Sequence, residues 1–382
     1  MKSVGIVKKP IICHMCSFQP EYGGTFVDSL LSLNRYCLSH LKMETVCIFP
    51  EEASKRAWLT RFDDEGIRCA FVPWKKNVFT HVRLLLKEFR PVILHTHFYL
   101  FDLSAVLLKV LLYRNAKVIW HFHSAQDLTF QQRFKDLIKL RLIFGTFGRR
   151  CIAVSDGVYR SLNNAGLRSD KAVLIRNAIE TSRFVPNSET RRKARQSLGA
   201  SNGTMIFLLL GYAPVIKGVD IFVKAAAQIV GRKDSNMLFV IIGRDETREF
   251  VSQMPAATKP TDALLVIDPV KDLSFLLNAV DVLVSASRSE GLAYSVLEAM
   301  TAEKLVLSSD IASVRETYGR SEGVWLFPSE NWKMLAELME KVMLLQPVER
   351  QSFGHANSRY VLENHSLDRW SEKVGQVYKD LI

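Results

Sequence analysis

Short apolar runs of strand length alternate with helix-length amphipathic segments almost from end to end, and this alternation constrains the fold more than any other feature of the chain. Strands joined by helical crossovers build parallel sheets covered on both faces. A first series places strands at 10–16, 45–49, 68–72, 92–95, 117–120, 151–154 and 172–175. Around 187–200 the pattern weakens into polar and basic residues. A second series begins at 205–210 and continues at 237–242, 263–267, 282–285, 305–308 and 324–326. At 382 residues the chain exceeds what one core usually supports. The expected fold is therefore α/β, with two Rossmann-like, doubly wound domains at 1–188 and 189–365 facing a cleft, and a last helix at 366–382. Such sheets hold ligands beyond the carboxyl ends of their strands, so the loops after those strands are where chemistry is expected.

A hydrophobic fraction of 48% and a charged fraction of 24% suit a compact globular protein. The most apolar window, 100–113, is too short to span a bilayer, is interrupted by Asp102 and Lys109, and reads as a buried helix. The apolar patch behind Lys8 and Lys9 is brief and contains His14, which argues against a secretory signal and for the cytoplasm. Cys13, Cys16, Cys37, Cys47, Cys69 and Cys151 all fall in the first half, several inside strand-like runs, as expected of buried free thiols in a reducing compartment.

The net charge of +12 needs an outlet. Between Phe130 and Arg150 lie Arg133, Lys135, Lys139, Arg141, Arg149 and Arg150 against the single acid Asp136, interleaved with apolar residues. This basic amphipathic helix either rests on an anionic membrane surface, at the inner face of the plasma membrane, or packs its apolar stripe inward and solvates its charges. No aromatic-and-basic reading module accompanies it, so nucleic acid is not an expected partner.

Three loops could carry chemistry. The strand 205–210 runs through Gly211 to Lys217-Gly218, which precede a helix over 219–230. Unpaired amides at a helix start, joined by an ammonium, would hold a diphosphate. After the strand 282–285 comes the run from Ser287 to Met300. Here Glu290 lies in the loop, Gly291 lets the backbone turn, amides of Leu292, Ala293, Tyr294 and Ser295 can face phosphate oxygens, and Glu298 lies a turn inside the helix. A carboxylate at Glu298 can accept from a vicinal diol such as a ribose. A solvated loop acid and a helix-surface acid are the plain alternative. In the first half, Gly23-Gly24 after the first strand allows close approach of a bulky ligand, or makes a tight turn and no more.

Two cysteine and histidine patterns remain. His95 with His97, and His121 with His123, sit at strand ends with each pair on one face. No carboxylate or cysteine completes a recognisable ligand spacing around them, and no metal or other cofactor is expected. Cys13 and Cys16 form a lone Cys-x-x-Cys, but the helix does not start at the pair as a redox motif requires.

Taken together, these features resemble the family 4 retaining glycosyltransferases, which have the GT-B fold, and the resemblance implies that the last helix, 366–382, crosses back to the first domain. The resemblance covers nearly the whole chain and rests on Gly23-Gly24, His95-Thr96-His97, Trp120-His121-Phe122-His123, Val154-Ser155, Ile175-Arg176-Asn177-Ala178-Ile179, Gly211 through Lys217-Gly218, Ala279-Val280-Asp281, and Glu290 and Glu298 eight apart. It implies that Lys217 neutralises the donor diphosphate and Glu298 holds the nucleotide ribose. Glu290 would contact the transferred sugar with backbone from 292–295, His123 would approach that sugar, and the Gly24 amide would touch the diphosphate. Catalytic roles would thus fall to Glu290, His123 and Lys217.

The implied partners are a sugar nucleotide and a saccharide or lipid-linked acceptor. Departures from the pattern are Tyr212 where an arginine usually stands, with Arg244 as a substitute charge, Ala293 and Ala178 for common glycines, and Glu303-Lys304 for a Gly-x-Pro segment. The alternatives are a sugar-nucleotide epimerase or phosphorylase of the same fold, and a degenerate relative that binds sugar nucleotide or a partner without catalysis.

Overall fold

The computed structural model describes residues 9–21, 23–73, 77–123, 138–230, 236–260, 262–270, 272–290 and 292–382. The chain divides into two compact units, Met1–Glu180 with Leu367–Ile382, and Thr181–Ser366.

The first unit holds a seven-stranded sheet of β1 (Ile11–Cys16), β2 (Glu44–Pro50), β3 (Arg68–Val72), β4 (Ile93–His97), β5 (Lys117–Phe122), β6 (Arg150–Ala153) and β7 (Ala172–Leu174). Its order is β3-β2-β1-β4-β5-β6-β7, and every pairing is parallel. The order reverses between β1 and β4, so the loops leaving these two strands border the crevice where such sheets bind ligands. On one face Cys13, Met15, Leu94, Val118 and Trp120 form a continuous apolar core. On the other, Ile12, Ile93, Ile119 and Ile152 pack against Trp370, Val374 and Tyr378 of the helix Leu367–Lys379. That last helix lies on the helix Gly24–Tyr36: Ser32 and Ser371 share a hydroxyl hydrogen bond of 2.9 Å, and a Cβ on Gly375 would meet the Tyr36 ring at 2.1 Å.

The second unit holds β8 (Met205–Leu210), β9 (Met237–Ile242), β10 (Leu264–Ile267), β11 (Val282–Ser285), β12 (Leu305–Ser309) and β13 (Val324–Phe327) in the order β10-β9-β8-β11-β12-β13, again all parallel. Its reversal lies between β8 and β11, whose following loops are those that contain Lys217 and Glu290.

Two expectations need correction. The seam falls after Glu180, because the helix Ser188–Ser197 is bolted into the second unit. Arg195, 2% exposed, donates to the carbonyl of Ala279 at 2.8 Å and to Asp281, while Arg191 donates to Asp281 at 2.6 Å. Asp281 also accepts from the amide of Ile206 at the foot of β8, which makes the Ala-Val-Asp motif a structural clamp.

The window 100–113 is not buried throughout. Its helix Asp102–Leu111 turns Ala105, Val106 and Leu108 inward and leaves Leu103, Leu107 and Leu111 exposed at 50%, 47% and 58%, one face at successive four-residue steps. The two cysteines of the Cys-x-x-Cys do not meet: three residues apart on β1, Cys13 and Cys16 belong to core clusters on opposite faces of the sheet. Burial pushes both thiols up, away from the reactive thiolate. All six cysteines are free thiols.

Of the basic segment 130–150, residues 130–137 lie outside the described residues; the described part runs through Ile138–Phe144 and Gly145–Phe147. Among the described residues no helix is long and apolar enough to cross a membrane.

Candidate functional site

In the second unit the loop after β8 and the loop after β11 are laced together. The Arg288 amide donates to the Ile216 carbonyl at 2.8 Å. Gly218 adopts φ +65°, and a Cβ there would lie 2.0 Å from the Ala286 carbonyl oxygen, so only glycine permits this contact. The Arg288 side chain reaches across to both carboxylate oxygens of Asp220, at 2.9 and 3.0 Å, and to Glu330, tying the second loop to the first turn of the helix Val219–Val230. The bidentate geometry with Asp220 is the stronger form of such a pair.

This lacing delivers Lys217 to Glu290. The Lys217 ammonium donates to Glu290 Oε1, which also accepts from the Ser287 hydroxyl at 2.7 Å. The pair is half-sheltered, with Glu290 10% and Lys217 26% exposed, so it is neither a solvated surface bridge nor sealed in the core. The buried Tyr318 lies near Glu290; burial pushes its hydroxyl pKa up and the carboxylate adds to the shift.

Leu292, Ala293, Tyr294 and Ser295 lie at the start of the helix Tyr294–Thr301, whose N-cap Ala293 offers no capping side chain. Its first amides therefore remain available to an acceptor. Gly291 lies outside the described residues. Glu298 lies a turn inside the helix and carries its field to two tyrosines: burial first, then this carboxylate, raise the pKa of both Tyr294 and Tyr212. Arg244 opposes that rise at Tyr212, so Tyr212, Arg244 and Glu298 share one neighbourhood. Arg244 precedes the helix Asp245–Gln253, exposed to solvent.

In the first unit the helix Gly24–Tyr36 opens directly at Gly24. Gly24 has φ +51°, whereas Gly23 is required by packing, since a Cβ on it would meet Val27 at 2.6 Å and Trp58 at 3.0 Å. Phe26, in the first turn, sets its ring edge on His123 at 5.6 Å. The Phe98 ring stacks on His123 at 4.3 Å from a strained turn in which Phe98 and Tyr99 both have left-handed φ, 62° and 68°. The Ser17 hydroxyl holds that turn through the Phe98 carbonyl at 2.9 Å. Sequence reasoning missed these aromatics; the aromatic run Phe98-Tyr99 after a strand was the available signal.

It also missed His14. On β1 it stands beside His95 in the ladder, as His97 on β4 stands beside His121. Five histidines thus form one column across three strands. His14 Nδ1 and His97 Nε2 are 3.1 Å apart, as are His97 Nδ1 and His123 Nε2, and His95 Nδ1 meets the Tyr378 hydroxyl at 2.6 Å. His95 Nε2 and both nitrogens of His121 have no hydrogen-bond partner among the described residues. Each such orphan costs about 1–3 kcal/mol. Burial lowers the pKa of all five, to about 3 for His14 and His123, so the column is uncharged at neutral pH.

Comparison with known proteins agrees with this architecture. The family described as "Glycosyl transferases group 1" matches residues 190–360, and "Glycosyltransferase Family 4" matches 55–183. A lipopolysaccharide core biosynthesis mannosyltransferase, LpcC, of Rhizobium leguminosarum bv. viciae is 22% identical over 287 residues, covering 70% of this chain and 80% of that protein. Among solved structures, a glycosyltransferase of Rickettsia africae superposes with a TM-score of 0.82 at 19% identity, covering 98% of this chain and 99% of the other. Alr3699/HepE of Anabaena in complex with UDP gives 0.80 at 12% identity, covering 97% and 100%. At these identities the structural likenesses establish the fold.

Proposed function

Because this chain belongs to the family 4, group 1 glycosyltransferases, we propose that it moves a sugar from a nucleoside diphosphate donor to a saccharide or lipid-linked saccharide, with retention of configuration and without a divalent cation. The observation that carries this reading is the Lys217–Glu290 pair at the switch point of the second sheet, between the starts of two helices.

Breaking a sugar–phosphate bond leaves a diphosphate of growing negative charge and an oxocarbenium-like sugar. Stabilising the leaving group is then the largest electrostatic task. Lys217 and the amides of 293–295 serve it in this reading, and Glu298 holds the ribose. Displaced from the ammonium by the diphosphate, Glu290 turns to the sugar. From the resemblance alone, His123 approaches the same sugar and Gly24 the diphosphate. Retention follows when the acceptor hydroxyl enters on the face from which the diphosphate departs, a phosphate oxygen taking its proton.

The relative named as a lipopolysaccharide core mannosyltransferase supports an acceptor in cell-surface polysaccharide or glycolipid synthesis, and the UDP-bound neighbour makes uridine donors the first to try. An anionic membrane surface is the proposed resting place for the first unit. Leu103, Leu107, Leu111 and Leu142 are exposed there, and the pKa of Lys109 is lowered by burial and by the nearby charges of Arg149 and Lys117. Apolar side chains rimmed by cations suit an anionic bilayer.

A screen of sugar nucleotides for thermal stabilisation, followed by transfer and donor hydrolysis with the best binder in chelator, tests the reading. Stabilisation without turnover would instead support a non-catalytic binder, the reading that Tyr212 in place of an arginine favours. Anomeric inversion in the product, or turnover only with added divalent cation, would refute the mechanism.

A further inference from the structure

The outer end of the histidine column has the spacing of a metal-ligand set. One nitrogen each of His97, His121 and His123 lies within 4.8 Å of the other two. The ring centres are 5.1 Å apart for His97 and His121, 5.3 Å for His97 and His123, and 4.4 Å for His121 and His123. With metal–nitrogen bonds of roughly 2.0–2.1 Å, tetrahedral geometry puts ligand nitrogens roughly 3.3 Å apart and ring centres roughly 5 Å apart. Two of the three ring separations already match, and a small side-chain rotation opens the third.

The hydrogen bonding points the same way. His121 is buried with neither nitrogen paired among the described residues, which in a native core calls for an unseen ligand. His97 has its Nε2 tied to His14 Nδ1 at 3.1 Å, which aims its Nδ1 at His123, 3.1 Å away. An outer partner on the far ring nitrogen is the usual way a ligating histidine is oriented. His123 is the partly exposed member, at the strand end, and gives an ion its way in. The inner set of His14, His95 and His97 also meets the distance condition, but all three are fully buried, and His95 Nδ1 is committed to Tyr378.

We propose that His97, His121 and His123 bind a divalent transition ion of the zinc class, with the fourth position open to water. Three imidazoles without a carboxylate select zinc, cobalt, nickel or copper over magnesium and calcium. Occupancy takes the lone pair of His123, so ion binding and sugar transfer exclude one another; this consequence, unlike the site itself, rests on the role given to His123 under the proposed function.

The test titrates chelator-stripped full-length protein with Zn2+ by calorimetry and with Co2+ by visible absorption, with no donor present. Wild type should bind one ion per chain, show the absorption of nitrogen-ligated tetrahedral Co2+, and gain thermal stability. His121→Phe keeps a flat ring in the stack and removes both nitrogens; it should weaken binding by at least about tenfold, the lower end of what loss of an outer-shell partner alone costs. In case that variant does not fold, histidine 15N shifts of wild-type protein should move at all three residues on adding Zn2+. The absence of saturable binding, equal affinity in His121→Phe, or unmoved shifts would overturn the site. Zn2+ that binds here yet leaves transfer unchanged would support the site and overturn the role of His123.

Discussion

The Lys217 ammonium is held by Glu290, and the same carboxylate oxygen accepts from the Ser287 hydroxyl. The cation assigned to the diphosphate is therefore compensated in the free protein by the acid assigned to the sugar. Donor binding has to exchange one anionic partner of Lys217 for another.

Glu290→Gln separates the two roles. It removes the competing charge while keeping shape and hydrogen-bonding capacity, so nucleoside diphosphate affinity should stay equal or rise a few-fold while kcat falls on the order of 10²–10³, the size of a lost transition-state contact. Calorimetry with UDP and steady-state transfer check this. Parallel loss of binding and rate would mean that Glu290 maintains the loop and nothing more.

Tyr212→Arg should restore a second cation beside Glu298 and Arg244. A tighter, more salt-sensitive complex with the diphosphate is expected, because an added charge near phosphate contributes through Coulomb attraction that salt screens. Unchanged affinity at low and high salt would place the phosphates away from Tyr212.

The strand pattern of both sheets was legible because a buried parallel strand is apolar along its whole length and is bounded by polar helix starts. The loops after 205–210 and 282–285 could be picked out for the same reason. What could not be read was distance across the sheet. His95 and His97 alternate visibly on one strand, but only the register of β1 against β4 adds His14. Lys217 and Glu290 are 73 residues apart, and their pairing depends on a glycine pressed against a carbonyl. The exposed face of the helix Asp102–Leu111 could not be read either, because leucines at four-residue steps look alike whether they face a core or the surface.

The histidine column predicts an acid-sensitive first unit. His14 and His123 have pKa values lowered to about 3 by burial, against roughly 6.5 in the unfolded chain. Below pH 6.5 the unfolded state takes up protons that the folded state refuses. Stability is thus fully present above that pH and declines as pH falls toward 3, by up to about 1.4 kcal/mol per pH unit for each histidine. Urea denaturation in chelator at pH 7.5 and 5 reads this directly, and His14→Phe should flatten the slope. Equal stability at the two pH values would show the rings to be solvated.

Leu103→Ser, Leu107→Ser and Leu111→Ser together should leave the fold intact, since all three side chains face outward, yet should lower capture by vesicles containing anionic lipid. Arg141→Glu and Arg149→Glu should do the same and abolish the salt dependence. Sedimentation with anionic and neutral vesicles measures both, and equal capture by the two lipids in wild type would end the membrane proposal.

The most direct measurement is a crystal structure with UDP bound. The donor-site assignment predicts the diphosphate within hydrogen-bonding distance of Lys217 Nζ and of amides among residues 293–295, the ribose on Glu298, and Glu290 released from Lys217. A diphosphate settled elsewhere, with Lys217 still paired to Glu290, would contradict it.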